Sequence, residues 1–367
     1  MADYLFIDRS AMLREMKKLR EEEQLTVLMT SHHSEDIDAL CDKVGNAITK
    51  QSISKYETGK MLPDSKILIL LSKALEVSID YFFRQPSVSI ENVEFRKKSK
   101  LGVKQIDSIK EVVKDQLERY FEIENLNAIE SSYREQSGNV LVQDEDDIYP
   151  IVKRVKAAWQ LGEDGINNLI EVLEDNNIKV VEIDAPNSFD GLSGFVNGDT
   201  PVIVLNKNFK SERKRFTALH ELGHLMLTFD SSISDKEIES LCNLFASEML
   251  ISKEVFIQRI GAARGDISLE ELKGLQIQFG ISIDALMYKA KSLNIISENR
   301  FNTFHKKKNA VHQFKESVEK NRSKEECSNR FVRLVYRALA SEIISFSKAS
   351  ALLGISIDSI RNQLNLV

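Results

Sequence analysis

The run Phe216-Thr-Ala-Leu-His-Glu-Leu-Gly-His-Leu-Met-Leu227 constrains this chain more than any other stretch. It sets His220 and His224 four residues apart, with Glu221 directly after the first. On a helix such positions share one face, with Cβ atoms roughly 5–6 Å apart. Both imidazoles can then reach one zinc ion at about 2.0–2.1 Å. Phe216, Leu219, Leu222 and Met226 recur at helical spacing around them. Ser211 is expected to cap this helix, and Glu212 to favour its N-terminal dipole. Glu221 would lie beside the metal, near a bound water. There it can take the water's proton and pass it to a leaving amine. Zinc lowers the pKa of such a water toward 7 and polarises a scissile carbonyl.

A catalytic zinc usually takes three protein ligands and keeps one position open. The third is expected from a second helix, Asp235 to Ile251, after the turn Asp230-Ser231-Ser232. Asp235, Glu237, Glu239, Glu248 and Cys242 are all candidates there. Leu241, Leu244, Phe245 and Met249 form its apolar stripe, and Glu239 lies close to that stripe. Spacing alone leaves the choice open. Upstream, Ile178–Asp184, Leu192–Val196 and Val202–Leu205 read as strands. The last two are separated by Asn197-Gly198-Asp199, and Asn-Gly between β-prone runs is a strong hairpin signal.

RFTALHELGHLML followed by IESLCNLFASEML resembles the ImmA/IrrE family of zinc metallopeptidases. The second stretch matches the family's E-x-x-x-N-x-F-A pattern at Glu239, Asn243, Phe245 and Ala246. The resemblance implies His220, His224 and Glu239 as zinc ligands, Glu221 as the catalytic residue and Asn243 as a residue behind the ligands. GLSGFVNGDTPVIVLNK is similar to the strand hairpin that precedes the family's active helix. The likeness covers about 145–300, and RFVRLVYRALASEIISFSKASALLGIS resembles the end of longer members. It implies a narrow protease that cuts a partner repressor in stress or mobile-element responses. The other reading is an antitoxin-like regulator whose zincin fold docks a partner without cutting. Glu221 favours the enzyme, because a docking scaffold has no use for a base beside the metal. Substrate is expected to add as a strand along Val202–Leu205.

Nearer the N-terminus, Ile48-Thr-Lys-Gln-Ser-Ile-Ser-Lys-Tyr-Glu-Thr-Gly-Lys60 with Pro63 and Ile67–Phe83 is similar to a lambda-repressor/Cro-like helix-turn-helix. Thr49 would cap a recognition helix. Lys50, Gln51, Ser52 and Lys55 would face the major groove, and Gln51 can pair bidentately with adenine. Lys60 would contact phosphate, while Ile53 and Tyr56 face the core. Asp64–Leu75 and Ser78–Phe83 would be its last two helices. Val27–Glu35 is an insertion relative to that pattern. Cations and acids balance over residues 1–100, which gives little counterion-release drive toward DNA.

Composition bounds the remainder. The chain has 367 residues, a net charge of −6 and only 15 Gly and 5 Pro, which suits a mostly helical protein of two or three domains. No apolar run is long enough for a membrane span. The N-terminus lacks the basic and apolar regions of a signal peptide. Cys41, Cys242 and Cys327 are widely spaced, which fits a reducing cytosol. TVLMTSHHSEDIDALCDKV resembles a stretch of ABC-transporter ATPases. The chain has no GxxxxGK[ST] loop, so neither ATP hydrolysis nor a metal role for His32 and His33 is expected. Lys306, Lys307 and Lys308 read as a solvated face. The expected fold class is α+β, mostly helical. A helix-turn-helix domain over 1–95 would lead through a helical linker, 96–144, to a zincin-like domain, 145–300, with a small antiparallel sheet and the HExxH helix. A helical region, 301–367, would close the chain. In the linker Ile106, Ile109, Val112, Val113, Leu117 and Tyr120 recur at helical spacing. Zinc, a protein substrate, DNA and a homodimeric partner are expected, in the cytoplasm, with no membrane and no ATP.

Overall fold

A computed structural model describes residues 40–45, 47–57, 60–74, 93–95, 103–129, 133 and 140–364. The chain divides into two compact units, residues 1–87 with 335–367 and residues 88–334.

In the first unit, helical residues 40–43 precede α1 (Lys50–Glu57) and α2 (Ser65–Ala74). Leu40, Val44, Ile48, Ile53, Leu68 and Leu71 form their common core, and Tyr56 packs against it. The Ser52 N–H donates to Thr49 Oγ1 at 3.2 Å, the cap expected of Thr49. Asp64 accepts from the Ile67 N–H in the same way at α2. Lys50, Gln51 and Lys55 are exposed on α1, and Ser52 is half-buried beside them. The 27–35 insertion and the helix expected at 78–83 lie outside the described residues.

The second unit is built on a four-stranded sheet ordered β1-β4-β5-β3. Its strands are β1 (Val93–Phe95), β3 (Lys179–Ile183), β4 (Gly191–Val196) and β5 (Thr200–Asn206). β1, β4 and β5 pair antiparallel, and β3 adds parallel to β5. The sheet is therefore mixed: β3, which precedes the β4–β5 hairpin in the chain, lies beside β5 and not beside β4. β5 is held on both edges, which corrects the expectation that substrate adds along Val202–Leu205. The hairpin turn has positive φ at Asn197 (52°) and Gly198 (86°), as in the tight turns that match strand twist.

Alternation sends the strands' side chains to two faces. Val181, Ile183, Leu192, Val196, Val202 and Val204 pack with Val113 and Leu117 of α3 (Val103–Leu126). Val112 is 44% exposed on that helix, away from the sheet. Val180, Ile203 and Leu205 face the larger core, with Ala218, Leu219 and Leu222 of α6 (Ser211–Met226). Between β1 and α6 lie β2 (Leu141–Val142), α4 (Ile148–Ala158) and α5 (Leu169–Asp175). β2 pairs parallel with β6 (Thr228–Phe229), just after α6. The larger core continues through α7 (Asp235–Leu250), α8 (Lys253–Ile260), α9 (Leu269–Phe279), α10 (Ile283–Ser292), α11 (Glu298–Ala310) and α12 (His312–Glu319). Ser211 is the first residue of α6 and does not cap it; Lys210 holds the cap position without a side-chain bond. Lys308 is paired with Asp284 (2.6 Å) and Glu319 (3.2 Å), so the lysine run is not simply a solvated face. Past α12 come α13 (Arg330–Ala340), α14 (Phe346–Leu353) and α15 (Ile357–Leu364). No described helix is long and apolar enough to cross a membrane.

Candidate metal centre

α6 and α7 pack directly against each other beside Gly223. A Cβ there would meet the Cα, Cβ and Sγ of Cys242 at 3.4 Å. This approach carries Glu239, in the second turn of α7, to the two histidines. The Nε2 atoms of His220 and His224 stand 3.1 Å apart. Glu239 Oε2 is 3.2 Å from the first, and Glu239 Oε1 is 3.4 Å from the second. A tetrahedral zinc site with bonds of about 2.0–2.1 Å spaces its donors roughly 3.3 Å apart. Two imidazoles and one carboxylate therefore already stand near the corners of such a polyhedron, and the donor set fits a divalent ion.

Surroundings orient these donors. His220 Nδ1 lies 2.9 Å from Asn243 Oδ1. An N–H donated there leaves the Nε2 lone pair facing inward, as metal-ligating histidines require. Cys242 Sγ is 3.5 Å from His224 Nδ1, behind the ring, on the far side from the other donors. The other carboxylates of α7 have different work. Glu237 completes a capping box with Ser234. Glu248 is buried in an ion pair with Lys289. Asp235 reaches the rim of the cavity.

That cavity, of about 270 Å³, is lined by Gly191, Ser193, His220, Glu221, His224 and Glu239 among others. Glu221 points into it, and the Ser193 hydroxyl donates to its Oε2 at 2.7 Å. Desolvation pushes the Glu221 carboxyl above the usual carboxylate range, while the Ser193 hydrogen bond and His220 pull it down. Ser193 reaches α6 because alternation along β4 turns residues 191, 193 and 195 to that face. Gly191 lets the strand come so near: a Cβ there would sit 2.7 Å from Thr217 Cγ2 and 3.0 Å from the Val204 carbonyl oxygen. Sequence reasoning passed over Ser193. Its one available signal was its place on the hairpin strand that runs directly into the histidine helix.

Residues 173–291 match the family model of the M78 peptidases, described as an IrrE N-terminal-like domain. The chain carries an M78 peptidase-family domain. The match contains β3, β4, β5, α6 and α7, and so contains every group around the cavity. Residues 36–82 match a helix-turn-helix family, which covers α1, α2 and the four residues Lys50, Gln51, Ser52 and Lys55. The chain thus joins a DNA-binding type of domain to a protease-like M78 domain. No curated protein matches it.

Proposed function

We propose that the chain is a zinc-dependent endopeptidase coupled to a helix-turn-helix, and that it cleaves a transcriptional repressor or another regulatory protein. The observation that carries this reading is the convergence of His220, His224 and Glu239 beside a half-buried acid, Glu221, in one cavity. His220, His224 and Glu239 would hold the zinc, with Asn243 fixing the His220 ring. Zinc, when bound, supplies an acidified water and a polarised carbonyl. Glu221 takes the proton of the attacking water and returns it to the leaving amine. The Ser193 hydroxyl holds the Glu221 carboxylate toward the cavity throughout. Lys50, Gln51, Ser52 and Lys55 would bring the protein to DNA or to a DNA-bound repressor.

The test is incubation of purified, zinc-loaded protein with candidate transcriptional repressors, beginning with any encoded next to its own gene. Wild type is expected to give discrete fragments. Glu221→Gln should keep its zinc and cleave about 10²–10⁴-fold more slowly, the usual worth of a positioned acid–base group. Equal cleavage by wild type and Glu221→Gln would overturn the reading. Glu239→Gln with its full zinc content would remove Glu239 from the ligand set.

A further inference from the structure

The last three helices repeat the local design of the helix-turn-helix near the N-terminus. α14 ends at Gly354, whose φ of +68° is left-handed, and the next helix, α15, starts three residues later. Helical residues 40–43 also lead to a left-handed glycine, Gly45 with φ +66°, and there the next helix, α1, starts five residues after it. The two second helices also begin alike. Ser359 N–H donates to Ser356 Oγ at 3.2 Å, as Ser52 N–H does to Thr49 Oγ1 at 3.2 Å. In both, the cap hydroxyl also meets the next serine hydroxyl, at 2.9 Å and 3.0 Å respectively. One residue further on, Ile360 and Ile53 are both buried, at 0% and 1% exposure. α15 packs on α14, and the Tyr336 hydroxyl of α13 bonds to Gln363 Oε1 of α15. Two helices joined by a three-residue, glycine-bearing turn and backed by a third form a helix-turn-helix unit.

We infer that residues 335–364 are a second helix-turn-helix, with α15 as a recognition helix for the major groove of duplex DNA. Ile360 faces inward, and Asp358, Ser359, Arg361 and Asn362 are exposed on α15. These side chains carry the hydrogen-bonding groups that read base edges, and no apolar residue is exposed on that helix. Recognition helices contact bases with their N-terminal residues, where Asp358 to Asn362 stand. Arg361 now holds an exposed pair with Asp358 at 3.7 Å, which a guanine edge would replace. From Val335 to the C-terminus the cations are Arg337, Lys348 and Arg361, against the acids Glu342 and Asp358. The backbone contribution is then small. With Arg361 on a base edge, phosphate contacts by Arg337 and Lys348 would give a slope of about −1.8 in log affinity against log salt. Base contacts must supply the discrimination. This inference does not depend on peptidase activity.

The test uses the full-length protein and a pool of randomised duplex DNA, with affinity for the selected duplex measured by fluorescence anisotropy. Arg361→Ala and Asn362→Ala should each weaken binding roughly 5- to 150-fold, the worth of one base-reading contact, and relax selection at one segment of the motif. Gln51→Ala should relax a different segment. Melting temperatures of these exposed variants should match wild type. The idea is overturned if no duplex is enriched. It is equally overturned if Arg361→Ala and Asn362→Ala keep wild-type affinity and motif, or if they lose a bound protein while DNA affinity stays unchanged.

Discussion

The two ends of α6 treat charge in opposite ways. In its first turns each cation meets an acid, and the one acid, Glu212, meets N–H donors. Arg215 pairs with Glu326, both almost fully buried, and Lys214 pairs with Glu182 at 2.6 Å. Glu212 accepts from the Gln276 amide and the Arg322 N–H. Two turns on, the pattern changes: two imidazole nitrogens and a carboxylate converge within 3.4 Å of one another. Matched charges close a structure on itself. Converging donors of one kind leave room for a cation that the chain does not contain. The contrast separates architecture from site without reference to any motif.

The comparison breaks most sharply at Glu326. Its carboxylate also receives the Leu169 and Ile170 N–H groups at 3.0 and 3.3 Å, so it caps α5 as well as neutralising Arg215. Glu326→Ala strands a buried guanidinium and should cost about 3–5 kcal/mol of stability in urea unfolding. Zinc stoichiometry of the folded fraction should stay at the wild-type value. A loss below about 1 kcal/mol would show that Arg215 finds water or another acceptor, and the two ends of α6 would then not differ in kind.

What could be read from the sequence follows the same division. The histidine helix, its partner helix and the hairpin were legible because each is specified by residues within a few turns: HExxH at spacing four, Leu241, Leu244, Phe245 and Met249 at helical spacing, Asn-Gly between two β-prone runs. Glu239 came from the family pattern, since spacing alone left five donors open. The Arg215–Glu326 pair was not legible, because its partners are separated by 111 residues and neither carries a local signal. Ser193 was missed for a related reason: its role depends on which face of β4 meets α6, and that is settled by sheet order. The parallel β3 escaped too, since periodicity marks a strand without saying which neighbour it takes.

The structural charges should also titrate in a way of their own. Glu174 is buried with the Ser328 hydroxyl at 2.7 Å and the Tyr120 hydroxyl at 3.3 Å on its Oε1. Burial raises its pKa from 4.5 to about 7, against those hydrogen bonds and the charges of Arg330 and Lys179. The folded state therefore keeps a proton that the unfolded chain releases near pH 4.5. Stability should fall as pH rises from about 4.5 to 7, by roughly 3 kcal/mol, and then level off. Glu174→Gln should remove that slope when unfolding is followed across the range. An unchanged slope would assign the proton uptake elsewhere.

The smallest expected effect belongs to Asn243, which touches the site without holding the metal. It is exposed on α7, so removing its amide should change stability little. Its Oδ1 nevertheless sits 2.9 Å from His220 Nδ1, where it fixes which ring nitrogen carries the proton. Asn243→Ala frees that ring to rotate and to take the other tautomer, so zinc affinity in a chelator competition should fall about 10- to 100-fold. Asn243→Asp keeps an acceptor at the same atom and makes the imidazole more basic, so affinity should recover to wild type or beyond. If both variants bind zinc as wild type does, α6 alone orients the histidines. The likeness between Asn243 and the buried partners of Arg215, each a group that holds another in place, would then end at α7.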